Sequence, residues 1–117
     1  IWEGVLSAVK NELSNLTVLV DYNKMQSFGP TKEVIDLEPL GAKWESFGCA
    51  VQEVDGHCVL GLEEVLSTVP FRPDRPSVII CHTVKGKGFP VAENNSNWHH
   101  KSRISDQELI DLYACLD

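Results

Sequence analysis

Three short apolar runs set the frame: LTVLVDY (Leu16 to Tyr22), CAVQEV (Cys49 to Val54) and SVIICHTV (Ser77 to Val84), each parted from the next by residues at helical spacing. Runs this short and this rich in β-branched residues suit strands, and LTVLVDY reads as one covered on both faces, as parallel strands are. Ahead of it, Trp2, Val5, Leu6, Val9 and Leu13 recur at helical spacing, so the chain opens inside a helix. After it a loop leads to a second helix, with Pro39 as a tolerated first helical residue, Leu40, Trp44 and Phe47 as its apolar stripe and Gly48 as its stop. Val59, Leu62, Val65, Leu66 and Val69 form a third amphipathic helix, which the prolines of VPFRPDRP break. Ser105 and Glu108 make an S-x-x-E capping box that opens a last helix through Leu109, Leu112 and Leu116. Helix and strand in alternation predict an α/β fold, a parallel sheet with helices on both faces. At 117 residues we expect a single domain over 1–117.

Composition narrows the function classes. The formal net charge is -7, whereas a protein of nucleic acids or anionic membranes normally shows a basic face, so neither is expected as a partner. No run is long and apolar enough to span a bilayer and no secretory leader is evident, which predicts a soluble, cytoplasmic protein. Cys49, Cys58, Cys81 and Cys115 contain no C-x-x-C pair. Three of them are expected to pack as small hydrophobes, in keeping with a reducing compartment and without structural zinc. Opening at Ile1, inside a helix, the chain reads as a piece of something longer. Apolar surface left uncovered by such a cut predicts association with a partner.

In open parallel sheets ligands gather at the carboxyl ends of the strands. Three polar clusters fall there: DYNK after the first strand, DGH after the second and HTVKGKG at the end of the third. Asn23 can offer a neutral amide oxygen to a hard cation and Met25 its backbone carbonyl, both suited to magnesium, yet spacing alone favours Asn23 as a turn residue, and Asp21 and Tyr22 can be strand-end caps. Lys85 to Gly88, KGKG, offers two cations and two glycines to an anion, or forms a plain turn. His99 and His100 stand in a long segment, Lys85 to Arg103, where an imidazole can meet a phosphate or substrate oxygen or be an exposed loop residue. His57 reads as a helix-start residue after an Asp55-Gly56 turn.

As an ordered set, NLTVLVDYNKMQSFG, LEPLGAKWESFG, VQEVDGH, HTVKGKG and ENNSNWHH resemble the amino-terminal subunit of split, two-gene transketolases, over nearly the whole chain. The resemblance implies the thiamine-diphosphate-binding fold, incomplete at its amino terminus, and transfer of a two-carbon ketol unit from a ketose phosphate to an aldose phosphate or other aldehyde. It implies that thiamine diphosphate is held through Mg2+, with Ca2+ as a substitute, by the Asn23 side chain and the Met25 carbonyl. A Gly-Asp-Gly that opens this motif in relatives, and carries the metal's Asp ligand, lies upstream of the residues matching Ile1, Trp2 and Glu3. Glu3 then matches a residue at the subunit interface near the cofactor, Lys85 and Gly86 match the segment flanking it, and His99 matches a catalytic-loop histidine that approaches diphosphate and substrate. The Glu that activates the cofactor's aminopyrimidine is implied for a complementary carboxyl-terminal subunit, so this chain alone is expected to be inactive. Related alternatives are a 1-deoxyxylulose-5-phosphate synthase-like or specialised biosynthetic transferase, and a non-catalytic remnant of the fold. Two departures stand out: His100 where relatives usually carry Gly, and Cys58 where they often carry Asp.

Overall fold

The computed structural model describes residues 1–116. Along the chain the elements are α1 (Trp2–Lys10), β1 (Thr17–Tyr22), β2 (Met25–Gln26), β3 (Gly29–Pro30), α2 (Thr31–Val34), α3 (Leu40–Ser46), β4 (Ala50–Asp55), α4 (Val59–Ser67), β5 (Ser77–His82) and α5 (Asp106–Tyr113), with a 3₁₀ turn at Ser96–Trp98. They fall into two compact units. The first holds Ile1–Tyr22 and Leu37–Thr83; the second holds Asn23–Asp36 and the chain from Val84 onward.

The first unit is built on a parallel sheet of order β1-β5-β4, with Thr17 and Ala50 both opposite Ser77, and Tyr22 and Asp55 both opposite His82. Successive side chains of a strand point to opposite faces, so the central strand serves two cores. Val78 and Ile80 enter one with Val5, Tyr22, Leu40, Trp44 and Cys49, from α1, β1 and α3; Ile79 and Cys81 enter the other with Val65 of α4. Helices thus lie on both faces, as expected of the alternating sequence. Val78 and Ile79 are fully buried, and burial of this kind contributes about 1.5–3 kcal/mol per large aliphatic side chain.

β1 departs from expectation. Val18, Val20 and Tyr22 pack into the first core, but Leu19, on the opposite face, is 53% exposed. The reason is topological: β1 is an edge strand, and the helix of that face, α4, lies against β4. α1 ends at Lys10, before Leu13, which is partly exposed along with Trp2 and Leu6. Trp2 is nonetheless a packing residue, stacked on Phe47 with ring centroids 4.9 Å apart and tilted against Trp44 at 5.0 Å. Pro39 is the N-cap of α3 rather than its first residue, and Gly48 ends the helix as read, at φ 100 with its N–H on the Glu45 carbonyl. Two cysteines, not three, pack as hydrophobes: Cys49 and Cys81 are buried and burial pushes their thiols up, whereas Cys58 and Cys115 are exposed. Cys58 is the N-cap of α4, its sulfur accepting the Gly61 N–H at 3.4 Å.

The second unit has little regular structure. The stretch after Tyr22 holds the hairpin β2–β3, with Met25 opposite Pro30 and Gln26 opposite Gly29, and then α2. Sequence reading gave a plain loop here because two-residue strands carry no period. The capping box of α5 is present in full: Ser105 Oγ accepts the Glu108 N–H, and Glu108 accepts the Ser105 N–H at 2.9 Å. Contrary to expectation, α5 stops at Tyr113 rather than Leu116, and none of its residues is buried. Among the described residues no helix is long and apolar enough to cross a membrane.

Candidate functional site

In the first unit β1 and β5 end together. Thr83 donates its N–H to the Tyr22 carbonyl at 3.3 Å and its hydroxyl to Asp21. The buried Tyr22 hydroxyl donates to Glu38 Oε1 at 2.8 Å, while Glu38 Oε2 accepts the Leu40 N–H at 3.0 Å at the start of α3. Asp21 and Tyr22 therefore act as strand-end locks. On the β4 side Asp55 makes the expected turn, its Oδ1 accepting the His57 N–H at 2.9 Å one residue before the Cys58 cap. Glu3 sits on α1, exposed, 3.7 Å from the Ile1 amine. Its carboxyl is held below the usual range by its own backbone N–H and then by that amine.

In the second unit Lys24 adopts φ 60, and across it Asn23 Oδ1 accepts the Met25 N–H at 2.9 Å. Asn23 is thus the turn residue that one reading proposed. An amide oxygen has two lone pairs, so the turn leaves one for a cation. The Lys24 carbonyl accepts from the Thr31 N–H at 2.9 Å and closes the loop. Asn23 Oδ1 and the Met25 carbonyl are neutral hard donors of the kind magnesium accepts, and among the described residues no three His, Cys, Asp or Glu converge as a metal cluster. Such a pair fits a magnesium ion whose remaining ligands come from phosphate, water and other protein oxygens.

The KGKG stretch is a constructed turn. The Asn94 N–H donates to the Lys85 carbonyl at 2.9 Å and the Phe89 N–H to the Gly86 carbonyl at 3.1 Å. Gly86 has φ 75, and a Cβ there would lie 2.6 Å from the Ala92 carbonyl oxygen, so no other residue fits without strain. Lys87 pairs with Glu93 at 3.8 Å. The Lys85 side chain makes no hydrogen bond or ion pair among the described residues, which leaves its ammonium for an anion.

His99 Nε2 lies 3.0 Å from Ser27 Oγ, a contact spanning 72 positions of sequence that joins the hairpin turn to the long segment. His100 stands edge-on to its ring at 4.2 Å and 71°. Loss of water around the ring lowers the His99 pKa below its ordinary value, and the charges of His100 and Lys85 lower it further. The shift favours the uncharged imidazole. His100 itself has φ 56, the left-handed region in which Gly is at ease, so the departure from glycine keeps the glycine conformation. The second unit therefore brings together Asn23 with Met25, and Lys85 with His99; Glu3 belongs to the first unit. Ser27 escaped sequence reading, since nothing local marks a serine whose partner is so distant.

The chain as a whole matches a family profile. The profile described as "Transketolase, thiamine diphosphate binding domain" matches residues 2–114. The chain belongs to the transketolase family. An apulose-4-phosphate transketolase subunit of Actinobacillus succinogenes is 36% identical over 117 residues, which are 99% of this chain and 42% of that protein. The 6-deoxy-6-sulfo-D-fructose transketolase subunit of a Clostridium species is 38% identical over 100 residues, 86% of this chain and 36% of that one. The chain thus spans about two fifths of the length of these transketolase subunits. The fold agrees as well: a transketolase of Pichia stipitis superposes with a TM-score of 0.82 at 20% identity, over 96% of this chain and 16% of that one.

Proposed function

We propose that this chain is the magnesium- and diphosphate-holding part of a split transketolase. Joined to a complementary carboxyl-terminal subunit, it transfers a two-carbon ketol unit from a ketose phosphate to an aldose phosphate or another aldehyde. The observation that carries the reading is the Asn23–Met25 turn, which fixes the Asn23 amide oxygen with a lone pair to spare, in a chain of the transketolase family. Thiamine diphosphate, when bound, supplies the electron sink for the carbanion chemistry. The chain's own residues then hold and orient. Asn23 Oδ1 and the Met25 carbonyl bind Mg2+, or Ca2+ in its place; the free ammonium of Lys85 and the open turn at Gly86 face the diphosphate; and uncharged His99 donates a hydrogen bond to an anionic oxygen of diphosphate or substrate. Glu3 serves the contact between subunits. The relatives named for apulose-4-phosphate and 6-deoxy-6-sulfo-D-fructose support a donor of the same kind here, a ketose with an anionic tail.

Calorimetry with Mg2+ and thiamine diphosphate, on the chain together with the upstream Gly-Asp-Gly segment and the complementary subunit, tests this. We expect saturable binding that weakens at least about tenfold in Asn23→Ala. Absence of binding in the unaltered mixture would remove the reading. A donor and acceptor panel read by mass spectrometry then separates ketol transfer from pyruvate decarboxylation, the outcome a 1-deoxyxylulose-5-phosphate synthase-like enzyme would give.

A further inference from the structure

His99 has one ring nitrogen engaged, Nε2, 3.0 Å from the Ser27 hydroxyl. Nδ1 has no hydrogen-bond partner among the described residues. Ser27 occupies the two-residue turn of the hairpin whose arms pair Gln26 with Gly29, so its position is set by the same β2–β3 ladder that fixes Met25. Close to His99 lies Lys85, a cation without an ion-pair partner among the described residues. An uncharged imidazole carries one proton, and the hydrogen bond made by one nitrogen decides which nitrogen bears it.

Two arrangements satisfy the contact. In one, Nε2–H donates to Ser27 Oγ, leaving a bare lone pair on Nδ1. In the other, the Ser27 hydroxyl donates to Nε2 and the proton sits on Nδ1. Only the second gives the ring a donor toward an anion, and an anion is what an unpaired lysine calls for. We propose that Ser27 is a positioning residue for His99: its hydroxyl donates to Nε2 and holds the imidazole in the Nδ1–H form, which presents Nδ1–H as a donor to an anionic phosphate oxygen. The destination of that donor and the choice of tautomer rest on the function proposed above; the contact between Ser27 and His99 does not.

NMR of the 117-residue chain with ¹⁵N-labelled histidine reads both ring nitrogens of His99 directly, without cofactor and without activity. The unaltered chain and Ser27→Thr, which keeps the hydroxyl, are expected to show a protonated Nδ1 and a bare Nε2. Ser27→Ala, at an exposed position where folding is not at risk, is expected to lose the Nδ1–H form. A protonated Nε2 in the unaltered chain, or a tautomer unmoved by Ser27→Ala, would overturn the proposal. Pyrophosphate with Mg2+ is then titrated into the same samples. A shift at Nδ1 that weakens about tenfold in Ser27→Ala and returns in Ser27→Thr supports the full reading. No shift, with the tautomer as expected, removes the anion-facing role of His99 from the proposed function and leaves the positioning role of Ser27 standing.

Discussion

β5 and the segment from Lys85 to Lys101 are near neighbours in the chain and obey different physics. In β5 five of six residues are buried, and each position is fixed from both faces and by both flanking strands. In the later segment only Ala92 is buried, and Gly86, Gly88, Asn94 and His100 all have positive φ. A left-handed conformation costs a non-glycine residue about 1–2 kcal/mol. Of the four described non-glycine residues that adopt it, Lys24, Asn94 and His100 lie in the unit that carries Asn23, Met25, Lys85 and His99. Backbone strain gathers around candidate site residues, and buried apolar surface gathers away from them.

Substitutions can break or sharpen this contrast. The largest effect is expected from Ile79→Ala, which empties a fully buried position and should cost about 2–5 kcal/mol by urea unfolding. A cost near zero would mean that the sheet is not the source of stability. Gly86→Ala should come next, at about 1–3 kcal/mol, because it combines a left-handed φ with a collision at the Ala92 carbonyl. Its signature is faster amide exchange at Phe89, Ala92 and Asn94, with β5 still protected. Loss of protection throughout both segments would erase the distinction. His100→Gly works in the opposite direction, relieving φ 56 at the entropic cost of a glycine, for a net gain of about 0.5–1 kcal/mol. Slower exchange in the 98–101 stretch is the check.

The smallest effect concerns α5. Lys101, 2.6 Å away, and the Ser105 cap lower the Glu108 pKa from 4.5 to about 2. Since the folded carboxyl holds its proton less tightly than the unfolded one, this contribution is complete above about pH 4.5 and fades as the pH falls toward about 2. Helicity followed by circular dichroism should fray over that window. In Glu108→Gln the dependence should flatten.

Legibility followed the same divide. The run SVIICH, the stop at Gly48 and the capping box at Ser105 were plain in the sequence because each is a local rule: period, left-handed glycine, reciprocal cap. The bare face of β1 was not, since Leu19 sits in an apolar run and only strand order decides what covers it. The hairpin at Met25 to Pro30 was too short to carry a period. Within the candidate site, the Asn23 turn could be read from chemistry, but the hydroxyl that meets His99 belongs to a residue that only the folded chain brings near.

The sulfur cap on α4 offers a reference for an assay that needs no engineered cysteine. Cys58 is exposed, and its sulfur holds the Gly61 N–H of the first helical turn. A thiol-reactive dye reaches that exposed sulfur in the folded chain. Cys58 therefore marks the rate of reaction without opening, while Cys49 and Cys81, shielded in the two cores, report the rarer event of the sheet itself opening.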